Sequence, residues 1–170
     1  TAEEINEEIK KILPKPPEKP LFLWLHYLDA HGPYALFARK KGGAWSKIKF
    51  YLGDILTFLF AETPPLNRLI MPFLSSLYDE SLRYVDKCVQ ELFTYLKSID
   101  IDRSNTIFVI CADHGEAFLE HGSYGHSQRL FNVNIHVPLV FYAPRNLLSS
   151  QAVDRPVSLI DVSPTILRLI

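Results

Sequence analysis

Five consecutive apolar residues, Ile107-Phe108-Val109-Ile110-Cys111, run directly into Asp113-His114-Gly115-Glu116, and this junction constrains the chain more than any other feature. A short continuous apolar run reads as a strand buried on both faces, as in a parallel sheet. In open α/β sheets ligands bind outside the carboxyl ends of the strands, so Asp113 and His114 stand where chemistry is usually placed. A carboxylate beside an imidazole offers a divalent metal two ligands of mixed hardness. Gly115 is read as the residue that lets the chain turn tightly around the ion. His121 and His126 follow within thirteen residues of Asp113, a density that packing alone does not explain.

Other segments fit the same architecture. Residues 2–13 read as a polar helix stopped by Pro14, Pro16 and Pro17. Leu21–Leu28 is a strand candidate broken only by His26, which is taken as a core histidine, and it ends in the turn Asp29-Ala30-His31-Gly32-Pro33. Between Tyr78 and Leu96, apolar residues at 78, 82, 85, 89, 92 and 96 draw one stripe on a helix. Val137–Tyr142 and Val157–Val162 are further strand candidates, and Ser163-Pro164 opens a last helix. Strands alternating with helices imply an α/β fold with a mostly parallel central sheet. The 170 residues, 48% of them hydrophobic, suffice for one domain with a real core.

Eighteen basic residues against nineteen acidic ones leave a net charge of -1, which argues against a nucleic-acid partner. Two cysteines in apolar settings, Cys88 and Cys111, do not make a disulfide framework. The compartment stays open. Residues 35–75 carry the basic run Arg39-Lys40-Lys41, an aromatic stretch from Trp45 to Phe60, and breaks at Thr63-Pro64-Pro65 and Met71-Pro72. They read as a lid or insertion. Contact of the aromatic stretch with a hydrophobic substrate or a membrane surface stays open beside a core role.

Taken in order, Asp113-His114-Gly115-Glu116, Glu120-His121-Gly122, Gly125-His126, Val137-Pro138-Leu139 and Ile160-Asp161-Val162-Ser163-Pro164-Thr165 resemble the sulfatase family of the alkaline-phosphatase-like superfamily. Leu25 to Tyr34 is similar to that family's His-x-Pro-Tyr segment, and Tyr78 to Asp86 to the helix before its Asp-His-Gly strand. The resemblance implies a sheet-centred α/β fold and hydrolysis of sulfate esters, small molecules or glycans, at a divalent metal. Asp113 and His114 would then be metal ligands, His31 would contact the sulfate or protonate the leaving oxygen, and His126 would bind the ester oxygens. Calcium suits a carboxylate-rich site, while a histidine ligand admits manganese or zinc. Glu116 either orients the metal site or caps a turn, and His121 and His136 are read as structural.

The family's nucleophile, a formylglycine made from Cys or Ser in a Cys/Ser-x-Pro-x-Arg motif, has no counterpart in these residues, and neither does its early pair of aspartates. The chain is therefore expected to be an incomplete catalytic domain, 1–170, that lacks its N-terminal part and does not turn over alone. Two other readings remain. One is a phosphoethanolamine or glycerophosphate transferase, or a phosphoester hydrolase, of the same superfamily. The other is a non-catalytic binding module.

Overall fold

A computed structural model describes residues 1–34, 43–60, 63, 66–126 and 130–170. The basic run Arg39–Lys41 and the Pro64-Pro65 break lie outside the described residues. The elements are α1 (Ala2–Ile12), α2 (Ala44–Phe60), α3 (Leu66–Ser98), β1 (Phe108–Cys111), β2 (Ala117–Phe118), β3 (Tyr124–Gly125), α4 (Asn132–Ile135), β4 (Leu139–Tyr142), a 3-10 turn (Leu159–Asp161) and α5 (Val162–Leu169). They fall into two compact units, residues 1–100 with 118–124, and residues 101–117 with 125–170.

The first unit is built on α3. Helix α1 begins with a reciprocal capping box between Thr1 and Glu4 and ends on Lys10 and Lys11, so both ends suit the helix dipole. Its buried line, Ala2, Asn6 and Ile9, packs on α3. Asn6 is buried without cost because its amide donates to Cys88 O (2.8 Å) and its carbonyl accepts from Tyr27 Oη. Helix α2 lies antiparallel to α3, with Lys49 bonded to Glu80 (2.9 Å) and Gly53 against Leu77. The core gathers Tyr34, Phe50, Ile70, Met71, Leu74 and Leu77, with Phe118 and Tyr124 packed on it.

Three expectations change here. The break at Met71-Pro72 is absent, since α3 runs through Pro72. One backbone bond is lost to the proline ring, but Ile70, Met71 and Leu74 are buried on both sides and hold the helix through it. The buried line is Leu74, Leu77, Ser81, Cys88, Leu92 and Leu96, and Leu82 is exposed. Two helices cover different lengths of α3, so one stripe with a single phase does not describe it. Ser81 enters that line because its hydroxyl donates to Leu77 O at 3.0 Å. Finally, Leu21–Leu28 is not a strand: Phe22 and Trp24 are exposed, as is His26, and no strand pairs with it among the described residues. An apolar run can be extended, but a strand needs a neighbour for its backbone.

In the second unit β1 pairs with β4 antiparallel, Phe108 opposite Tyr142 and Cys111 opposite Leu139. Both strands were expected, but as members of a mostly parallel sheet. Among the described residues the pairings are antiparallel and two-stranded. Arg103 ties the end of β4, its Nε–H donating to Ala143 O (2.6 Å) while the guanidinium stacks over Tyr142. Val157–Val162 is not a strand either. Ser158 caps a 3-10 turn that leads straight into α5, with Ser163 and Pro164 in its first turn. Mixed helix and strand content agrees with an α/β fold. Cys88 and Cys111 are both free, and burial raises the thiol pKa of Cys88.

Candidate functional site

Residues 113–126 fold locally into a ribbon that explains the site. Strands β2 and β3 are joined by a tight turn closed by Leu119 N–H to Ser123 O (3.1 Å), with Gly122 and Gly125 at positive φ where glycine carries no steric penalty. Glu116 lies one residue before β2 and His126 one residue after β3, so the ribbon sets them opposite each other. His126 Nδ1–H donates to Glu116 Oε1 at 3.1 Å, and the Glu116 side chain is only 7% exposed. The His126 ring stacks on His114, with centroids 4.0 Å apart and planes 24° apart.

His114 is oriented from its own backbone. Its Nδ1 lies 2.9 Å from Gly115 O, and a carbonyl can only accept, so Nδ1 carries a proton and Nε2 is the nitrogen that the neutral tautomer offers to a metal. Asp113 Oδ1 accepts the His114 N–H (3.0 Å), which leaves Oδ2 3.8 Å from His114 Nε2. Two donors at that separation can bind one cation with ordinary metal–ligand bonds of roughly 2.0–2.6 Å. The donor set fits a divalent ion in kind, yet only in part. Among the described residues no group of three or more His, Cys, Asp or Glu side chains comes together to hold one.

Gly115 serves differently from expectation. It is not among the positive-φ residues; instead its backbone passes so close to α4 that a Cβ would meet Val133 O at 2.1 Å. Its N–H donates to Asn134 O (2.7 Å), while the Asn134 amide donates to Gly125 O (3.1 Å). One buried asparagine thus braces both loops, that of His114 and that of His126. Nothing in the four-residue helix Asn132–Ile135, which holds two asparagines, announces from sequence that Asn134 does this. Glu116, left open on sequence grounds, is the His126 partner. His121 and His136 are exposed side chains.

His31 belongs to the first unit and is anchored on both sides there. Asp29, 2% exposed, accepts the Ala2 N–H at the start of α1 through Oδ2 (2.7 Å), and its buried Oδ1 has no hydrogen-bond partner among the described residues. Tyr34, three residues beyond His31, is in the core, stacked edge-on against Tyr78 and hydrogen-bonded to Tyr124. The imidazole repeats the His114 arrangement: Nδ1–H donates to the following glycine carbonyl, Gly32 O, at 2.6 Å. Asp113, His114 and His126 are therefore brought together in one unit, and His31 is presented on a braced turn of the other.

Comparison with known proteins gives a consistent result. The sulfatase family model matches residues 1–170. Arylsulfatase K of Canis lupus familiaris is 32% identical over 82 residues, 48% of this chain and 15% of its own length. Iduronate 2-sulfatase of Homo sapiens is 39% identical over 67 residues, 39% of this chain and 12% of its own. The matched segments are a small part of these relatives. No solved structure matches.

Proposed function

The chain belongs to the sulfatase family, and on that premise we propose that it carries the leaving-group and oxyanion side of a sulfate-ester hydrolase. The observation that carries this is the buried Glu116 carboxylate holding His126 against His114. Loss of sulfate from an ester puts charge on the bridging oxygen and on the three sulfate oxygens. Held imidazoles serve both needs, one donating a proton to the leaving oxygen and one hydrogen-bonding the sulfate oxygens. In this reading His31 is the proton donor and His126 the sulfate-oxygen ligand, with Glu116 fixing the His126 ring. Asp113 and His114 would hold a divalent ion, with calcium first and manganese or zinc as alternatives, which supplies charge stabilisation to the sulfate oxygens when bound. The formylglycine nucleophile and the remaining ligands would come from residues beyond 1–170. Sulfated small molecules or glycans are the substrate class.

The test is turnover by the full-length protein of an aryl sulfate, a sulfated monosaccharide and the matching phosphate ester. Sulfate hydrolysis that falls about 10²–10⁴-fold in His31→Ala supports the reading. Preferential hydrolysis of the phosphate ester, or an unchanged rate in that variant, overturns it. Glu116 gives a finer check. Glu116→Ala is expected to lower kcat/KM by roughly 10–100-fold, the usual cost of losing a partner that orients an active-site histidine. Glu116→Gln keeps an acceptor for Nδ1–H and should recover part of that loss. Equal rates for the two variants would remove the orienting role.

A further inference from the structure

Two tyrosine hydroxyls meet at the apolar core of the first unit. Tyr34, 3% exposed, belongs to that core with Phe50, Met71, Leu74 and Leu77. Tyr124 packs on the same core and donates its hydroxyl hydrogen to Tyr34 Oη at 3.1 Å. The Phe118 ring touches both, with centroids 5.7 Å from Tyr34 and 5.9 Å from Tyr124, and fills its place without a hydroxyl. Packing here needs rings, not hydroxyls. Drawing hydroxyls into an apolar cluster costs desolvation that their mutual bond roughly offsets, so what the bond adds is a defined geometry.

That geometry reaches His31 through two contacts. The Tyr34 ring lies alongside Gly32, where a Cβ would meet Tyr34 Cε1 at 3.8 Å and Cζ at 4.0 Å. Gly32 O is in turn the acceptor that holds His31 Nδ1–H at 2.6 Å. Pro33, between the two in sequence, fixes its own φ and leaves the segment little slack. A shift of the Tyr34 ring is thus passed to the peptide that aims the imidazole. Tyr124, Tyr34, Gly32 and His31 all lie in the same compact unit. We propose that Tyr124 is a positioning residue for His31, acting through its bond to Tyr34 and the contact of the Tyr34 ring with Gly32. The inference rests on His31 as the proton donor to the leaving oxygen.

Turnover by the full-length protein of aryl sulfates whose phenols differ widely in acidity tests this, because proton donation matters most to the poorest leaving groups. Tyr124→Phe should lower kcat/KM about tenfold for the poorest leaving group, well short of the roughly 10²-fold cost of a 1 Å misplacement, and hardly at all for the best. Tyr34→Phe and the double variant should match it, since the same bond is lost in each. In a His31→Ala background Tyr124→Phe should change nothing further. Tyr95→Phe is the control. It removes a hydroxyl bond to Leu13 O (2.7 Å) elsewhere in the unit and should lower the thermal midpoint without altering the leaving-group dependence. No loss in Tyr124→Phe, or losses that are equal across leaving groups, that add in the double variant or that persist without His31, overturn the positioning role alone. An unchanged rate in His31→Ala overturns the proton-donor reading itself, and this inference with it.

Discussion

His114→Ala in the full-length protein is expected to reduce bound divalent metal and sulfate-ester turnover together, each by about 100-fold or more. The lower bound follows from cost: residues that merely orient a ligand are worth roughly 10–100-fold, and a ligand itself should cost at least the upper end. The geometry makes His114 a ligand candidate on two counts. Its Nδ1–H is held by Gly115 O, which leaves Nε2 as the nitrogen available to a metal, and that nitrogen lies 3.8 Å from Asp113 Oδ2. The ring also supports His126 by stacking at 4.0 Å. Two measurements separate these contributions. Metal content per mole should fall in His114→Ala and stay constant in His126→Ala, while turnover falls in both. Unchanged metal content in His114→Ala would reduce the residue to a support for His126 and withdraw the ligand role.

Legibility in the sequence followed the range of the interaction. Asp113 and His114 were legible from the apolar run that ends at them, and His126 from the resemblance alone; the hairpin that brings residues a dozen apart together, with Gly122 and Gly125 at positive φ, was not. The existence of β1 and β4 was legible from their dense apolar runs, but burial on both faces was not borne out: in a two-stranded pair Ile110, Cys111, Val140 and Tyr142 are exposed. Which strand pairs with which was not legible. Ile107–Cys111 reads equally well as a parallel or an antiparallel member, and pairing with β4 is antiparallel. Leu21–Leu28 shows the same limit, since composition makes a strand possible while only a partner makes it one. Pro72 failed as a stop signal because its cost of about 3 kcal/mol is small beside the burial of Ile70, Met71 and Leu74 around it. The roles of Asn134 and Asp29 rest on contacts with Gly115 and Gly125, 19 and 9 positions away, and with Ala2, 27 positions away, and no local pattern encodes them.

Gly115→Ala is the substitution expected to damage the fold of the site most. A Cβ there would lie 2.1 Å from Val133 O, 3.0 Å from Val133 C and 3.4 Å from Asn134 Cα. Every one of these is backbone, so no rotamer change relieves the contact and α4 or the 113–116 loop must shift. That shift breaks the 2.7 Å bond from Gly115 N–H to Asn134 O and disturbs the amide that holds Gly125 O. Overpacking together with a lost buried hydrogen bond amounts to about 3 kcal/mol. For a chain of 170 residues the thermal midpoint should fall by roughly 6–12 °C. Gly53→Ala provides the contrast. Its Cβ would come 2.4 Å from Leu77 Cδ1, nominally almost as close, but that atom is the end of a rotatable side chain. The helix also gains from replacing glycine, by up to about 1 kcal/mol, so Gly53→Ala should cost little. If both variants melt alike, close backbone approach is not what Gly115 supplies, and the bracing of His114 through Asn134 falls with it.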